Sequence, residues 1–236
     1  MYVYNSRIRY TEIDRTGRLS TEAIINYFQD TTNFHSESAG LSWDVMLSQN
    51  RAWLLSFWKV FIDEQRPGFG EEISVETRPY AYDGLFGRRG FVMRGSDGRE
   101  IATADSMWFL FDSQTGHPAV NEPQFIEPYG VDEPFDMDRI KRRHISLPKE
   151  MTALEPFAVR KDVLDTNYHV NNCRYIAMAE EYFPEGRPVT ELQVEYKLAA
   201  KYGDIVHPRI ADSGDGYRYI SLDSADGDVY AALKVR

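Results

Sequence analysis

The sequence predicts an α+β protein in which one unit occurs twice, each copy a short strand, one helix and a meander of antiparallel strands. Three pairs of landmarks, in the same order in both halves, predict the duplication. Ile13-Asp14, followed by Leu19 and a helical pattern, returns as Leu164-Asp165 followed by Val170 and a helical pattern, an offset of 151 residues. Phe69-Gly70-Glu71 returns as Tyr202-Gly203-Asp204 at an offset of 133, and the hairpin turn Asp97-Gly98 as Asp226-Gly227 at an offset of 129. Because the offset falls along the chain, the first copy carries the extra residues, most of them between its helix and its next strand.

In the first copy, Ala23, Ile24, Tyr27, Phe28 and Thr31 share one helical face, with Gly40 as the stop. Extended runs follow at 53–63, 72–80, 85–94 and 100–112, and Asp97-Gly98 between the last two is a strong hairpin signal. The segment 118–150, with Pro118, Pro123, Pro128, Pro134 and Pro148, connects the copies across the surface. This sets a first unit at 1–128, a linker at 129–148 and a second unit at 149–236. In the second copy Tyr175, Met178, Ala179, Tyr182 and Phe183 repeat the helical spacing, Pro184 ends it, and extended runs follow at 190–198, 205–211, 217–223 and 228–235.

Composition narrows the class. The chain has 42% apolar and 27% charged residues and no apolar run of membrane-spanning length, and MYVYNSRIRY lacks a signal-peptide core, so a cytoplasmic protein is expected. One cysteine, Cys173, allows no internal disulfide, and the five scattered histidines show no zinc spacing. A net charge of −10 argues against a non-specific nucleic-acid binder, because phosphate contacts need an excess of Lys and Arg.

The stretch LDTNYHVNN, 164–172, concentrates hydrogen-bonding side chains just before the second helix. Asp165, Asn167 and His169 alternate as in a calcium loop, but the glycine of the sixth position is missing and Ile176 stands where the twelfth position needs Glu. Asn171 or Asn172 is placed to cap the helix. That leaves Asp165, Asn167 and His169 as candidates for proton chemistry.

The string D-x-N-x-H-V-N-N, with Tyr175 after it, resembles the active-site segment of the acyl-acyl-carrier-protein thioesterases of plants and bacteria. RYTEIDRTGRLSTEAIINYFQD is similar to the start of that family's first domain, and ELQVEYKLAAKYGDIV to the strand pair after its second helix. The resemblance implies a tandem hot-dog fold, each unit a helix wrapped by an antiparallel sheet, and hydrolysis of fatty acyl-acyl carrier protein without metal or cofactor. It assigns catalysis to Asn167 and His169, with Asp165 as the preceding Asp. One position departs: the family's Glu falls at Ala199, and the Cys that follows it in plant members at Ala200. Glu195 is the obvious substitute in sequence, yet it lies four strand positions before Ala199, about 13 Å away at roughly 3.3 Å per residue, so it shares that face without reaching the same point.

The chemistry suits these residues. An imidazole deprotonates water near neutral pH, so His169 is the expected base, with Asp165 orienting the ring or a neighbouring amide and Asn167 orienting water or the carbonyl. The amides opening the helix around Asn171, Asn172 and Cys173 would meet the oxyanion and bind the substrate. Cys173 as a nucleophile is the rival; a small apolar filler is the favoured reading of that thiol. Trp53 and Phe57, with Leu54, Leu55 and Trp58, are the candidates to line an acyl tunnel. Acyl carrier protein is the expected partner, met through basic residues among Arg88, Arg89, Lys141, Arg142, Arg143, Lys197 and Lys201, and the chain is expected as a monomer or homodimer. An acyl-CoA thioesterase, an acyl thioester hydratase or dehydratase, and a non-catalytic acyl-carrier binding protein are the alternatives.

Overall fold

The computed structural model describes residues Met1–Arg236 and divides into two compact units, Met1–Ser56 with Val60–Ile140 and Phe57–Lys59 with Lys141–Arg236. In the first, β1 (Tyr2–Arg7) precedes helices α1 (Thr21–Ser38) and α2 (Trp43–Ser48). Strands β2 (Arg51–Ile62), β3 (Glu72–Asp83), β4 (Phe86–Gly95), β5 (Glu100–Asp112) and β6 (His117–Ala119) follow, then the short helix α3 (Pro123–Ile126). Strand neighbours run β1-β3-β4-β5-β2 with β6 on β5, and the β1–β3, β3–β4, β4–β5 and β5–β6 pairs are antiparallel.

Helix α1 forms where the sequence calls for it. Ser20 Oγ accepts from the amide of Ala23 at 3.1 Å, satisfying one of the donors that a helix start leaves free. The expected face is buried: Ile24 and Phe28 are fully enclosed, and the Phe28 ring lies 5.1 Å from that of Phe91 on β4. Each such side chain stabilises the fold by about 1.5–3 kcal/mol. Gly40, at φ 73°, stops the helix in a conformation that a side chain disfavours.

The second unit has the short strands β7 (Thr152–Ala153) and β8 (Phe157–Ala158), helix α4 (Asn172–Glu180), and the meander β9 (Glu191–Tyr196), β10 (Ile205–Asp212), β11 (Arg218–Asp223) and β12 (Val229–Val235). Its strand order is β9-β12-β11-β10-β7, with β8 on β10. Each unit is therefore a hot-dog, one main helix packed on an antiparallel sheet, as expected. Asp97-Gly98 and Asp226-Gly227 both turn hairpins, between β4 and β5 and between β11 and β12. The sequence placed the end of the second helix too late. Helix α4 stops at Glu180, and the chain tightens by three-residue steps, Tyr182 N to Ala179 O at 2.9 Å and Phe183 N to Glu180 O at 3.1 Å, before Pro184.

Residues 130–151 contain neither helix nor strand, and two buried carboxylates accept from their backbone. In the first unit Asp105, 1% exposed, accepts from Ile140 N at 2.8 Å and from Tyr80 Oη at 2.9 Å. Burial pushes the Asp105 carboxyl up, and these donated bonds offset part of the effect. In the second unit Glu195 accepts from Ile145 N at 2.9 Å and lies 3.2 Å from His144 Nδ1. Asp105→Ala would leave the Ile140 amide and the Tyr80 hydroxyl without their acceptor, and should lower stability by about 1–3 kcal/mol in urea unfolding. An unchanged midpoint would mean that this stretch of chain is held by its apolar contacts alone.

Candidate active site

The loop between Asp165 and His169 is closed by its own backbone. Asp165 N donates to His169 O at 2.7 Å, and Tyr168 N donates to Asp165 O at 3.1 Å. The side chain of Asp165 finishes the job: Oδ1 accepts from Asn167 N at 2.8 Å and from His169 N at 3.2 Å. An Asp is suited to this because its short carboxylate reaches amides two and four residues on. Of the two roles foreseen for Asp165, the structure shows the amide one. It holds the backbone on which Asn167 and His169 sit.

The same device stands in the first unit, where there is no histidine. Asp14 Oδ1 accepts from Thr16 N at 2.7 Å and Arg18 N at 3.3 Å, and Asp14 N donates to Arg18 O at 2.8 Å. The correspondence continues at the strand entry. Leu19 N donates to Pro67 O, and Val170 N to Ala200 O, both at 2.9 Å; Gly68 N donates to Glu71 Oε1, and Lys201 N to Asp204 Oδ2, both at 2.8 Å. Thr16 and Arg18 thus occupy the places of Asn167 and His169, and Arg66 that of Ala199.

Two differences mark the second copy. Gly17, at φ 76°, takes the left-handed turn of the first loop, whereas Tyr168 takes it at φ 60° and is 80% exposed, so it keeps a disfavoured backbone without burying its ring. Pro67 has no amide proton, but Ala200 has one, buried, and it donates to Tyr175 Oη at 2.8 Å. Tyr175 on α4 thus supplies the acceptor for a buried amide that the first unit, with Pro67 at that place, does not have.

Around this loop, His169 is half-buried and forms a backbone bridge with Lys201, Asn167 is exposed, and Ala199 is exposed. Asn171, not Asn172, is the helix cap: its Oδ1 accepts from Cys173 N at 2.9 Å and its carbonyl from Arg174 N at 2.9 Å. These bonds remove the Cys173 amide from the oxyanion donors proposed on sequence grounds. Of the first three residues of α4, Asn172 alone keeps an amide with no acceptor, at the positive end of a nine-residue helix. Cys173 is 1% exposed, which suits a packing role. Glu195 is engaged with Ile145, with His144 and, at 3.7 Å, with Lys197. No cluster of three or more His, Cys, Asp or Glu is placed to hold a metal ion.

The remaining expected residues lie elsewhere. Trp53 lines a cleft in the first unit together with Asn33, Ser36, Tyr82, Trp108 and Tyr129, a cavity of about 60 Å3 that opens to solvent. Phe57 is 1% exposed and is not among the residues lining that cleft. Among the basic residues, Lys141, Arg142, Arg143 and Lys201 are exposed, while Arg88 donates to Ile140 O at 3.2 Å. Arg89 must be withdrawn from any surface patch, because it is 6% exposed. It also lines the cleft, a position that sequence reasoning missed.

Residues 1–129 match the acyl-ACP thioesterase N-terminal domain and residues 147–235 the acyl-ACP thioesterase C-terminal domain. Among curated proteins, a chloroplastic acyl-[acyl-carrier-protein] hydrolase of Cuphea viscosissima is 28% identical across 90% of this chain and 56% of its own length. A chloroplastic palmitoyl-acyl carrier protein thioesterase of Arabidopsis thaliana is 28% identical across 89% of this chain and 55% of its own. The chain thus spans about half the length of the curated relatives it matches. An acyl-ACP thioesterase structure from Bacteroides thetaiotaomicron shares the fold with a TM-score of 0.88 at 22% identity, over 99% of this chain and 96% of that one. The 12:0-ACP thioesterase from Umbellularia californica does so with a TM-score of 0.86 at 20% identity, over 100% and 96%.

The strain at Tyr168 is open to direct measurement. Because its ring is exposed, Tyr168→Gly should remove the left-handed penalty with little loss of packing and raise stability by about 0.5–1 kcal/mol after the added flexibility of the unfolded chain. A fall in the melting temperature would show that the Tyr168 ring contributes more than its backbone costs.

Proposed function

The chain belongs to the acyl-ACP thioesterase family, and on that premise we propose that it hydrolyses fatty acyl thioesters of acyl carrier protein to the free fatty acid and the carrier thiol. The observation that carries the reading is the Asp165-held loop, which sets Asn167 and His169 on one short turn beside the open end of α4. The two hot-dog copies share this scaffold, and only the second fits it with an imidazole.

In this reading His169 takes a proton from water as the water oxygen bonds to the thioester carbonyl carbon. The carbonyl oxygen gains the charge and is met by the Asn172 amide and the Asn167 side chain. When the C–S bond breaks, the proton passes from the imidazole to the leaving thiolate. Asp165 is a positioning residue, since its Oδ1 is committed to the two amides. The family's Glu has no counterpart at exposed Ala199, and this favours a non-catalytic carrier-binding protein as the second reading.

Thiol release from an acyl thioester separates the two readings. His169→Ala should lower the rate by ~10² to 10⁴ with the fold intact, the usual effect of removing a positioned proton carrier, and Asn167→Ala should also slow it. Cys173→Ser should leave the rate nearly unchanged. Wild-type turnover no faster than His169→Ala would favour the binding protein, and a dead Cys173→Ser would replace water attack by a covalent route.

The partner has its own test. Acyl carrier protein is acidic, so a protein of net charge −10 would meet it through local basic residues, and Arg142 and Lys201 are exposed. Arg142→Glu with Lys201→Glu should raise KM for the carrier-bound substrate and spare the same acyl group on CoA. Equal effects on both substrates would remove these two residues from carrier recognition.

A further inference from the structure

The cleft in the first unit contains a charge that the hydrolytic reading does not use. Arg89 on β4 lines it and is 6% exposed. Its Nη1 donates to His35 Nδ1 at 2.8 Å and to Thr77 Oγ1 at 3.4 Å, and the guanidinium carbon lies 5.2 Å from the centre of the Tyr129 ring. All of these neighbours are uncharged. Because Arg89 must donate, His35 Nδ1 accepts and the ring carries its proton on Nε2. Burial, with the Arg89 charge beside it, draws the His35 pKa down to about 4, so the pair carries a single positive charge at neutral pH.

No carboxylate lies within 4 Å of Arg89, and neither Nε nor Nη2 makes a hydrogen bond. Asp132 is the acidic group whose field reaches both Arg89 and His35, and it stands beyond ion-pair distance of either. The half-buried arginines of the same sheet are treated differently. Arg51 pairs with Asp112 and Glu122, Arg78 with Glu76, and Arg94 with Glu76 and Glu100. A buried guanidinium without a counter-ion is costly to hold unless something else supplies the negative charge.

The cleft wall holds donors and no acidic side chain. Trp53 Nε1 is buried without a partner, and the Tyr82 ring is also on the wall. Ser36 Oγ is already shared between Thr32 O and Tyr129 Oη. Aromatic rings make up much of the remaining wall; the cavity itself is about 60 Å3, room for a carboxylate and the first carbons behind it, and it opens to solvent, so the rest of a chain can follow the cleft outward.

We propose that this cleft binds an aliphatic chain bearing a carboxylate, with the carboxylate against the free N–H groups of Arg89. The choice of an aliphatic chain rests on the thioesterase reading; the charge requirement does not. Two sources share this chemistry: the free fatty acid that hydrolysis releases, and an acyl thioester with a second carboxyl group at its far end.

Calorimetric titration of the full chain with decanoate and with decanol reads the charge requirement without turnover. Decanoate should bind at least about tenfold more tightly, as expected for a charge-assisted pair in a closed site, and Arg89→Met should abolish the difference. In the wild-type protein the Arg89 Nε–H resonance should shift on adding decanoate and stay in place with decanol, a readout that does not depend on how the variant folds. Equal binding of the two probes with no shift overturns the proposal, whatever the thioesterase activity. Release of thiol from sebacoyl and decanoyl thioesters then distinguishes the sources. A preference of about tenfold in kcat/KM for the sebacoyl ester, lost in Arg89→Met, assigns the dicarboxylic acyl group. Decanoate binding without that preference assigns the free fatty acid. Decanoate binding in a protein that releases thiol from neither ester supports the cleft and sinks the thioesterase reading.

Discussion

A carboxylate accepting two amides of its own loop is the interaction from which each half of this protein is built. Asp14 and Asp165 fold the chain back on itself just before a helix, and the residue after the closed turn, Leu19 or Val170, is thereby delivered to the strand entry it bonds. Helix start, loop and strand are then mutually fixed. Such a device uses only one side-chain oxygen and backbone groups, so the positions between its ends are free to vary. Thr16 and Arg18 in one copy, Asn167 and His169 in the other, are the variation.

This explains why so much of the fold was legible. The landmarks that revealed the duplication are the residues that the shared hydrogen bonds require: the two aspartates, the two hairpin Asp-Gly pairs, and Gly70 and Gly203, both in left-handed turns. Strands with one buried face announce themselves by alternation, and β2, β3, β4 and β5 fall within three residues of where the pattern put them. The end of α4 was misread because Tyr182 and Phe183 continue the apolar spacing after the chain has left the helix; apolar spacing records burial, and both turns and helices bury side chains.

The site was legible in part for the same reason. A cluster of polar residues says that hydrogen bonds are made, but not by which atoms, so neither the capping role of Asn171 nor the amide role of Asp165 could be fixed in advance. Arg89 is the instructive miss. Consecutive residues of a strand point to opposite faces, so Arg88 and Arg89 in β4 could not both look to the same solvent. Reading the pair as a basic cluster treated the strand as a string of charges. Its two faces differ: Arg88 reaches the backbone of Ile140 and Arg89 turns inward to His35.

The lone cysteine gives the molecule an unplanned convenience. Cys173 is sealed at the start of α4, and the chain has no other thiol. A fluorophore or spin label aimed at sulfur will therefore ignore the folded protein until a second cysteine is placed on its surface, and will then report that place alone. Conversely, labelling of the unaltered chain becomes a clock for the opening of the second unit, since α4 must lift before the reagent can enter.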